Sequence, residues 1–269
     1  ITHTCALITG ASAGLGEEYA RQLAPRVMRL VLVARRADRL EKIAAAIRAE
    51  FPETAVAVIA ADLAQPSERL RLADVLHADG LAPDLLVNNA GLGDYGEFAT
   101  AEWPRLEAML RVNVEALTHL THLLVPGMRR RGGGAIINLS SLASLLPIPD
   151  FAVYAATKAY VTSFSEALRI ELREHGIRVH GIRVLAVCPG PVHTEFGKVA
   201  RRGENMPGIP GRAWFYVPRE QVVAESLAAL DHDRARVFPA LKTAAAALVI
   251  SALPVVLLRL VMARRPRRA

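Results

Sequence analysis

Short apolar runs alternate with amphipathic stretches along most of the chain. Residues 5–9 (CALIT), 30–34 (LVLVA), 55–59 (AVAVI) and 135–139 (AIINL) are apolar segments of strand length. Glycine, asparagine or charged residues bound them, so they read as buried strands. Residues 84–91 (DLLVNNAG) form a further strand that runs into a polar end. Residues 179–186 and 236–238 read as later strands. Helical periodicity fills the gaps: 17–23, 37–50 with Leu40, Ile43 and Ile47 on one face, 66–76, 103–128, a stretch opening near Tyr154, and 218–230. Strand and helix alternate with no repeat and no linker. That order predicts one doubly wound α/β domain over residues 1–238, with 239–269 as an extension.

Charge is uneven. The formal net charge is +7. Residues 239–269 hold six basic and no acidic side chains, which leaves 27 basic against 26 acidic residues in the body, a balance of +1. A body without basic surplus argues against nucleic-acid binding. At 52% hydrophobic and 22% charged residues the chain is of globular type. Cys5 and Cys188 lie in apolar runs without metal-ligand spacing, and read as buried reduced thiols. No metal site is expected. No signal-like stretch precedes the first strand. Together these set the expectation of a cytoplasmic protein.

Candidate chemistry clusters at the predicted strand ends. Gly10-Ala-Ser-Ala-Gly14-Leu-Gly16 sits between a strand and a helix, where glycines let backbone N–H groups approach a pyrophosphate. Arg35-Arg36 end the second strand. In a βαβ unit that position faces the adenosine ribose, and arginine there accommodates a 2′-phosphate, so NADP(H) is favoured over NAD(H). Asn113 lies within an apolar helical stretch, where it needs a buried partner or a function. Ser140 and Ser141 end the 135–139 strand. Tyr154 and Lys158 lie four apart, on one helix face. An ammonium at ~4 Å and an effective dielectric of ~20 is worth roughly 4 kcal/mol of phenolate stabilisation. That brings a phenol of pKa about 10 towards working pH. Residues 196–217 carry glycines, prolines and Trp214-Phe215-Tyr216, the composition of a mobile substrate lid.

These motifs resemble the short-chain dehydrogenase/reductase family. They are Thr9-Gly10-x-x-x-Gly14-x-Gly16, Asn88-Asn89-Ala90-Gly91, Asn113, Ser141, Tyr154-x-x-x-Lys158 and Pro189-Gly190-x-Val192-x-Thr194, over nearly all of residues 1–238. Twelve residues separate Ser141 from Tyr154, and the spacing of the family it resembles implies Ser141 rather than Ser140. The resemblance implies a Rossmann-type parallel sheet of about seven strands, with helices on both faces. It implies an NADP(H)-dependent oxidoreductase, a carbonyl or alcohol as small-molecule substrate, and a homodimer or homotetramer. It assigns the acid-base role to Tyr154, its tuning to Lys158, the substrate oxygen to Ser141 and a water-linked proton relay to Asn113. For the cofactor it implies Gly10, Ser12, Ala13, Gly14, Leu15 and Gly16 at the pyrophosphate, and Arg35 with Arg36 at the 2′-phosphate. Asp62 and Leu63 would border the adenine, and Asn89, Ala90 and Gly91 the adenosine side. Pro189, Gly190, Val192 and Thr194 would contact the nicotinamide, and Tyr154 and Lys158 its ribose.

The extension departs from this pattern. Residues 243–258 are uncharged, interrupted by Pro254 and followed by arginines. As a helix the run spans roughly 24 Å, short of a ~30 Å hydrocarbon core. Packing on the body or on a second subunit is the leading expectation, with peripheral membrane-surface contact as the first alternative and a true span as the second. Two other functions stand beside the oxidoreductase reading: a membrane-docked lipid, retinoid or steroid oxidoreductase, and a non-catalytic dinucleotide sensor.

Overall fold

The computed structural model describes residues 3–173, 181–202 and 213–264. Seven strands, β1 (His3–Thr9), β2 (Val27–Ala34), β3 (Ala55–Ala60), β4 (Leu85–Asn88), β5 (Gly134–Leu139), β6 (Ile182–Val187) and β7 (Arg236–Val237), form one sheet in the order β3-β2-β1-β4-β5-β6-β7. Every pairing is parallel. The helices are α1 (Gly14–Leu23), α2 (Ala37–Glu50), α3 (Pro66–Ala78), α4 (Trp103–Leu110), α5 (Leu117–Arg130), α6 (Ala152–Leu172), α7 (Phe196–Val199), α8 (Arg219–Asp231), α9 (Leu241–Ala252) and α10 (Val255–Ala263).

Alternation along the strands sorts side chains to two faces. Ala6, Ile8, Leu30 and Leu32 face a core shared with Tyr19 of α1, Leu40 of α2 and Val223 of α8. Cys5, Leu7, Val31 and Val33 face the other, with Leu72 of α3, Leu120 of α5 and Leu172 of α6. A parallel sheet covered on both faces explains why the strands read as continuous apolar runs. Each fully buried Leu, Ile or Val contributes about 1.5–3 kcal/mol relative to exposure. The order reverses between β1 and β4, so the crevice for a ligand opens at the carboxyl ends of those strands.

The expected helix over 103–128 is continuous but not uniform. Between α4 and α5, Arg111–Ala116 form a π-helical segment with Asn113 inside it. The polar strand end at 84–91 leaves the sheet after Asn88. The expected start of the sixth strand at 179 lies outside the described residues, and β6 begins at Ile182. Of the expected lid, 203–212 also lie outside the described residues, including Gly203, Pro207, Gly208, Pro210 and Gly211. The apolar extension forms two helices bent by 113° at Leu253-Pro254. Proline lacks the N–H that would continue α9 and disfavours helix at the residue before it.

Candidate active site

The glycine loop is locked from two sides. Gly10 and Gly14 adopt φ of +65° and +61°, a region that side-chain-bearing residues rarely occupy. A Cβ on Gly16 would lie 2.3 Å from the Gly10 carbonyl oxygen, so helix α1 approaches the turn as only glycine permits. The Asn89 amide donates to the carbonyls of Thr9 and Gly10 at 2.9 and 3.2 Å. The Thr9 hydroxyl accepts from the N–H groups of Asn89 and Ala90, both at 3.0 Å. Ala13 and Leu15 flank Gly14 at the start of α1, whose free N–H groups suit an anion.

At the end of β2, Arg36 turns to this loop and donates to Ser12 Oγ at 3.3 and 3.1 Å. Arg35 is exposed. Arg36 and Arg39 both pair with Glu195, at 3.0 and 2.6 Å. These bonds hold the Glu195 carboxyl below its ordinary range, with Arg39 the larger influence. Arg39 and Glu195 were not among the residues the sequence singled out. Asp62 and Leu63 follow β3, next to β2, and Asp62 accepts from the Ala64 N–H at 3.2 Å. The loop cradle, the Ser12 hydroxyl and two guanidiniums form a donor set that fits the phosphates of a dinucleotide.

The polar ends of β4 and β5 are tied by amides. Asn88 donates to Asn138 Oδ1 and Thr121 Oγ1 at 2.9 and 3.1 Å, and Asn138 donates to Ser165 Oγ at 2.9 Å. Asn113 has buried partners as well. It accepts from the Leu92 N–H at 2.8 Å and donates to the Leu92 carbonyl at 2.9 Å and to Thr157 Oγ1 at 3.0 Å. Gly91 lies between Asn113 and Lys158: its Cβ position is 3.5 Å from Asn113 Oδ1 and 3.6 Å from Lys158 Nζ.

Ser140 and Ser141 divide their tasks. The Ser140 hydroxyl is buried, bonded to the Lys158 carbonyl at 2.8 Å and to Thr162 Oγ1 at 2.6 Å. Ser141 caps the turn after β5, accepting from the Ala143 N–H at 3.1 Å, and its hydroxyl acts on the Tyr154 phenol as a lowering influence on its pKa. Lys158, one turn along α6, donates to the Leu139 carbonyl at 2.7 Å and stands 5.7 Å from the Tyr154 ring centroid. Burial pushes the phenol up to about 12, against the opposing pull of Ser141. Burial pushes Lys158 down to about 8. The expected lowering of the phenol by the ammonium is therefore not the balance found here. Burial is the largest cause of both shifts, raising the phenol and lowering the ammonium.

Apolar and aromatic groups wall the phenol. Phe151 stacks on Tyr154 at 4.2 Å, and Phe196 lies tilted against it at 5.3 Å. A Cβ on Gly93 would sit 2.6 Å from the Phe196 ring, so that glycine makes room for it. The segment behind Phe196 is clasped by Asp94, whose side chain is 1% exposed. Arg202 and Arg105 pair with it at 2.6 and 3.0 Å. Arg105 also donates to the carbonyls of Val199 and Arg201. On the opposite side, Leu142 donates to the Pro189 carbonyl at 2.9 Å and Val217 to the Pro191 carbonyl at 3.0 Å. Val192 bridges to Val217. Thr194 approaches Gly14, whose Cβ position is 3.1 Å from its methyl group. The first turns of α9 close this side. Thr243 Oγ1 lies 3.0 Å from the Cβ position of Gly190, and Lys242 donates to the carbonyls of Trp214 and Tyr216 at 2.8 and 2.7 Å.

A family model described as short chain dehydrogenase matches residues 4–205. The very-long-chain 3-oxoacyl-CoA reductase of Anas platyrhynchos is 34% identical over 209 residues, 75% of this chain. The chain spans 64% of the length of that relative. A solved short-chain dehydrogenase from Sphingobium yanoikuyae, in complex with NADPH, superposes with a TM-score of 0.79 at 31% identity, covering 99% of this chain and 97% of that one. The bulky-bulky ketone specific alcohol dehydrogenase from Comamonas testosteroni gives 0.75 at 28% identity, covering 99% and 96%.

Proposed function

The chain belongs to the short-chain dehydrogenase family of oxidoreductases, and from that premise we propose that it transfers a hydride between NADP(H) and the carbon of a ketone or secondary alcohol. The observation that carries this reading is Lys158 Nζ 5.7 Å from the Tyr154 ring, one turn along the same buried helix, with Ser141 capping the turn after β5 and influencing the phenol. When bound, the dinucleotide supplies or accepts the hydride at its nicotinamide ring.

Tyr154 is the acid-base group. With its pKa pushed up to about 12, the phenol keeps its proton at neutral pH and can give it to a carbonyl oxygen. Ser141 donates a hydrogen bond to the same oxygen and orients it against the phenol. Lys158, pushed down to about 8, can exchange a proton near neutrality and return one to Tyr154. Asn113 stands across Gly91 from Lys158, where a relay to solvent would run. Gly10, Ser12, Gly14 and Gly16 would hold the pyrophosphate, and Arg35 and Arg36, joined by Arg39, the 2′-phosphate. The aromatic and aliphatic wall of Leu92, Tyr95, Phe151 and Phe196 suits a substrate that is apolar beside its carbonyl.

A second reading narrows the substrate to lipid at a membrane surface. Val255, Val256, Leu260 and Val261 of α10 are exposed, and Arg259 and Arg264 lie beside them. Among the described residues no single helix is long and apolar enough to cross a membrane, although α9 and α10 pass that test as a bent pair.

The test is coenzyme oxidation with a panel of aryl alkyl ketones and 3-oxoacyl thioesters. The proposal expects turnover with NADPH at a kcat/KM at least tenfold above that with NADH. Equal values for the two coenzymes would remove the NADP(H) assignment. Absence of turnover on every ketone, with the dinucleotide bound, would favour the sensor reading.

A further inference from the structure

Glu195 stands where the cofactor's 2′-phosphate would find its partners. Arg36 Nη1 meets Glu195 Oε2 at 3.0 Å and Arg39 Nη1 meets Oε1 at 2.6 Å, so each guanidinium takes one carboxylate oxygen. The two arginines follow β2, whereas Glu195 belongs to the segment after β6 that carries Phe196. The bridge therefore joins opposite sides of the candidate cofactor site. Arg36 also donates to Ser12 of the glycine loop, which puts its guanidinium beside the proposed phosphate cradle, at the end of β2. Carboxylate and phosphate use the same charge-assisted, fork-like hydrogen bonds on arginine. Both cannot hold the same two forks, because their negative charges repel. All three side chains are 41–44% exposed, so each pair is individually weak and exchangeable.

We propose that Glu195 is a specificity-determining residue for the coenzyme: it occupies Arg36 and Arg39 in the empty protein and must be displaced by a 2′-phosphate. The proposal rests on the NADP(H) reading given above. A ligand with a 2′-hydroxyl leaves the bridge in place, and the carboxylate can accept its hydrogen bond. Glu195 thus weakens the preference that the two arginines create.

Equilibrium binding of 2′,5′-ADP and of 5′-AMP, which differ by the 2′-phosphate, tests this without turnover. Glu195→Gln keeps the shape and removes the charge. It should tighten 2′,5′-ADP by roughly 2- to 30-fold, the range for two exposed pairs, and leave 5′-AMP unchanged or weaker. NADP+ and NAD+ should follow the same split. Unchanged 2′,5′-ADP affinity in a folded Glu195→Gln protein would overturn the proposal. Equal tightening of both ligands would also overturn it, because loop geometry rather than charge would then be responsible. The underlying NADP(H) reading fails in a distinguishable way. Wild-type protein would bind the two ligands alike, and Arg36→Ala with Arg39→Ala would alter neither.

Discussion

Asn113 holds the backbone of Leu92 by both ends of its amide, accepting the N–H at 2.8 Å and donating to the carbonyl at 2.9 Å. The chain leaving β4 is thereby fixed to the π-helical segment. Leu92 in turn packs in the cluster around Tyr154. A residue type that is unfavourable within a helix is here a strut between two elements of the site.

Replacing Asn113 by alanine removes three hydrogen bonds, counting that to Thr157, and takes the amide away from the part-buried backbone groups of Leu92. The expected loss is about 2–4 kcal/mol in urea unfolding. A loss below about 1 kcal/mol would mean that the strut is redundant.

Lys158 should make stability depend on pH. Its value falls from 10.5 to about 8 on folding, so between those pH values the unfolded chain holds a proton that the folded chain has released. Stability conferred relative to Lys158→Met therefore rises with pH across that window, by about 3 kcal/mol in all. Tyr154 has the opposite sign. Raised from 10.0 to about 12, it gives a contribution relative to Tyr154→Phe that is lost as pH climbs through that range. Urea unfolding of the wild type and each variant at stepped pH reads both slopes. A pH-independent difference would show that the lysine is not desolvated.

Arg202 should hold the segment under Phe196. Its removal in Arg202→Ala leaves the buried Asp94 carboxylate with Arg105 alone. Breaking such a pair costs about 3–5 kcal/mol when fully buried, and less here because Arg105 is one-third exposed. Amide hydrogen exchange should accelerate over residues 195–202, with protection in β1 and β5 unchanged. Uniform acceleration across the sheet would contradict a local clasp.

Truncation should separate the two C-terminal helices. Removing residues 254–269 takes away α10, whose face is mostly exposed. Coenzyme binding should survive, while oligomeric mass or flotation with anionic vesicles changes. Removing α9 as well withdraws Lys242 from Trp214 and Tyr216, and Thr243 from Gly190. That deletion should impair the site itself. If both truncations left mass, flotation and activity unaltered, the extension would have neither role.

The strands and helices were legible because a doubly wound sheet imposes uninterrupted apolar runs between amphipathic ones. The cradle was legible for a similar reason: Gly10, Gly14 and Gly16 stand where backbone geometry admits no side chain. Other features left no local trace. The π-helical turn over 111–116 carries no glycine or proline to mark it. Arg39 and Glu195 lie 156 positions apart, and nothing in either neighbourhood announces the other. Asp94 and Arg202 are separated by 108 positions, and only folding shows the carboxylate to be buried. The direction of the Tyr154 and Lys158 shifts was also beyond a helical spacing, since it depends on how deeply α6 is covered.

The central claim is that the Tyr154 hydroxyl moves the proton. The most direct measurement is single-turnover NADPH oxidation by Tyr154→Phe on a ketone that the wild type reduces, with NADPH affinity measured in parallel. The account predicts a rate below about 1% of wild type with affinity within about threefold, because only the oxygen is lost while ring packing and Lys158 remain. A variant that retains more than a few per cent of the rate, with coenzyme bound, would contradict the assignment and move the proton transfer to another group.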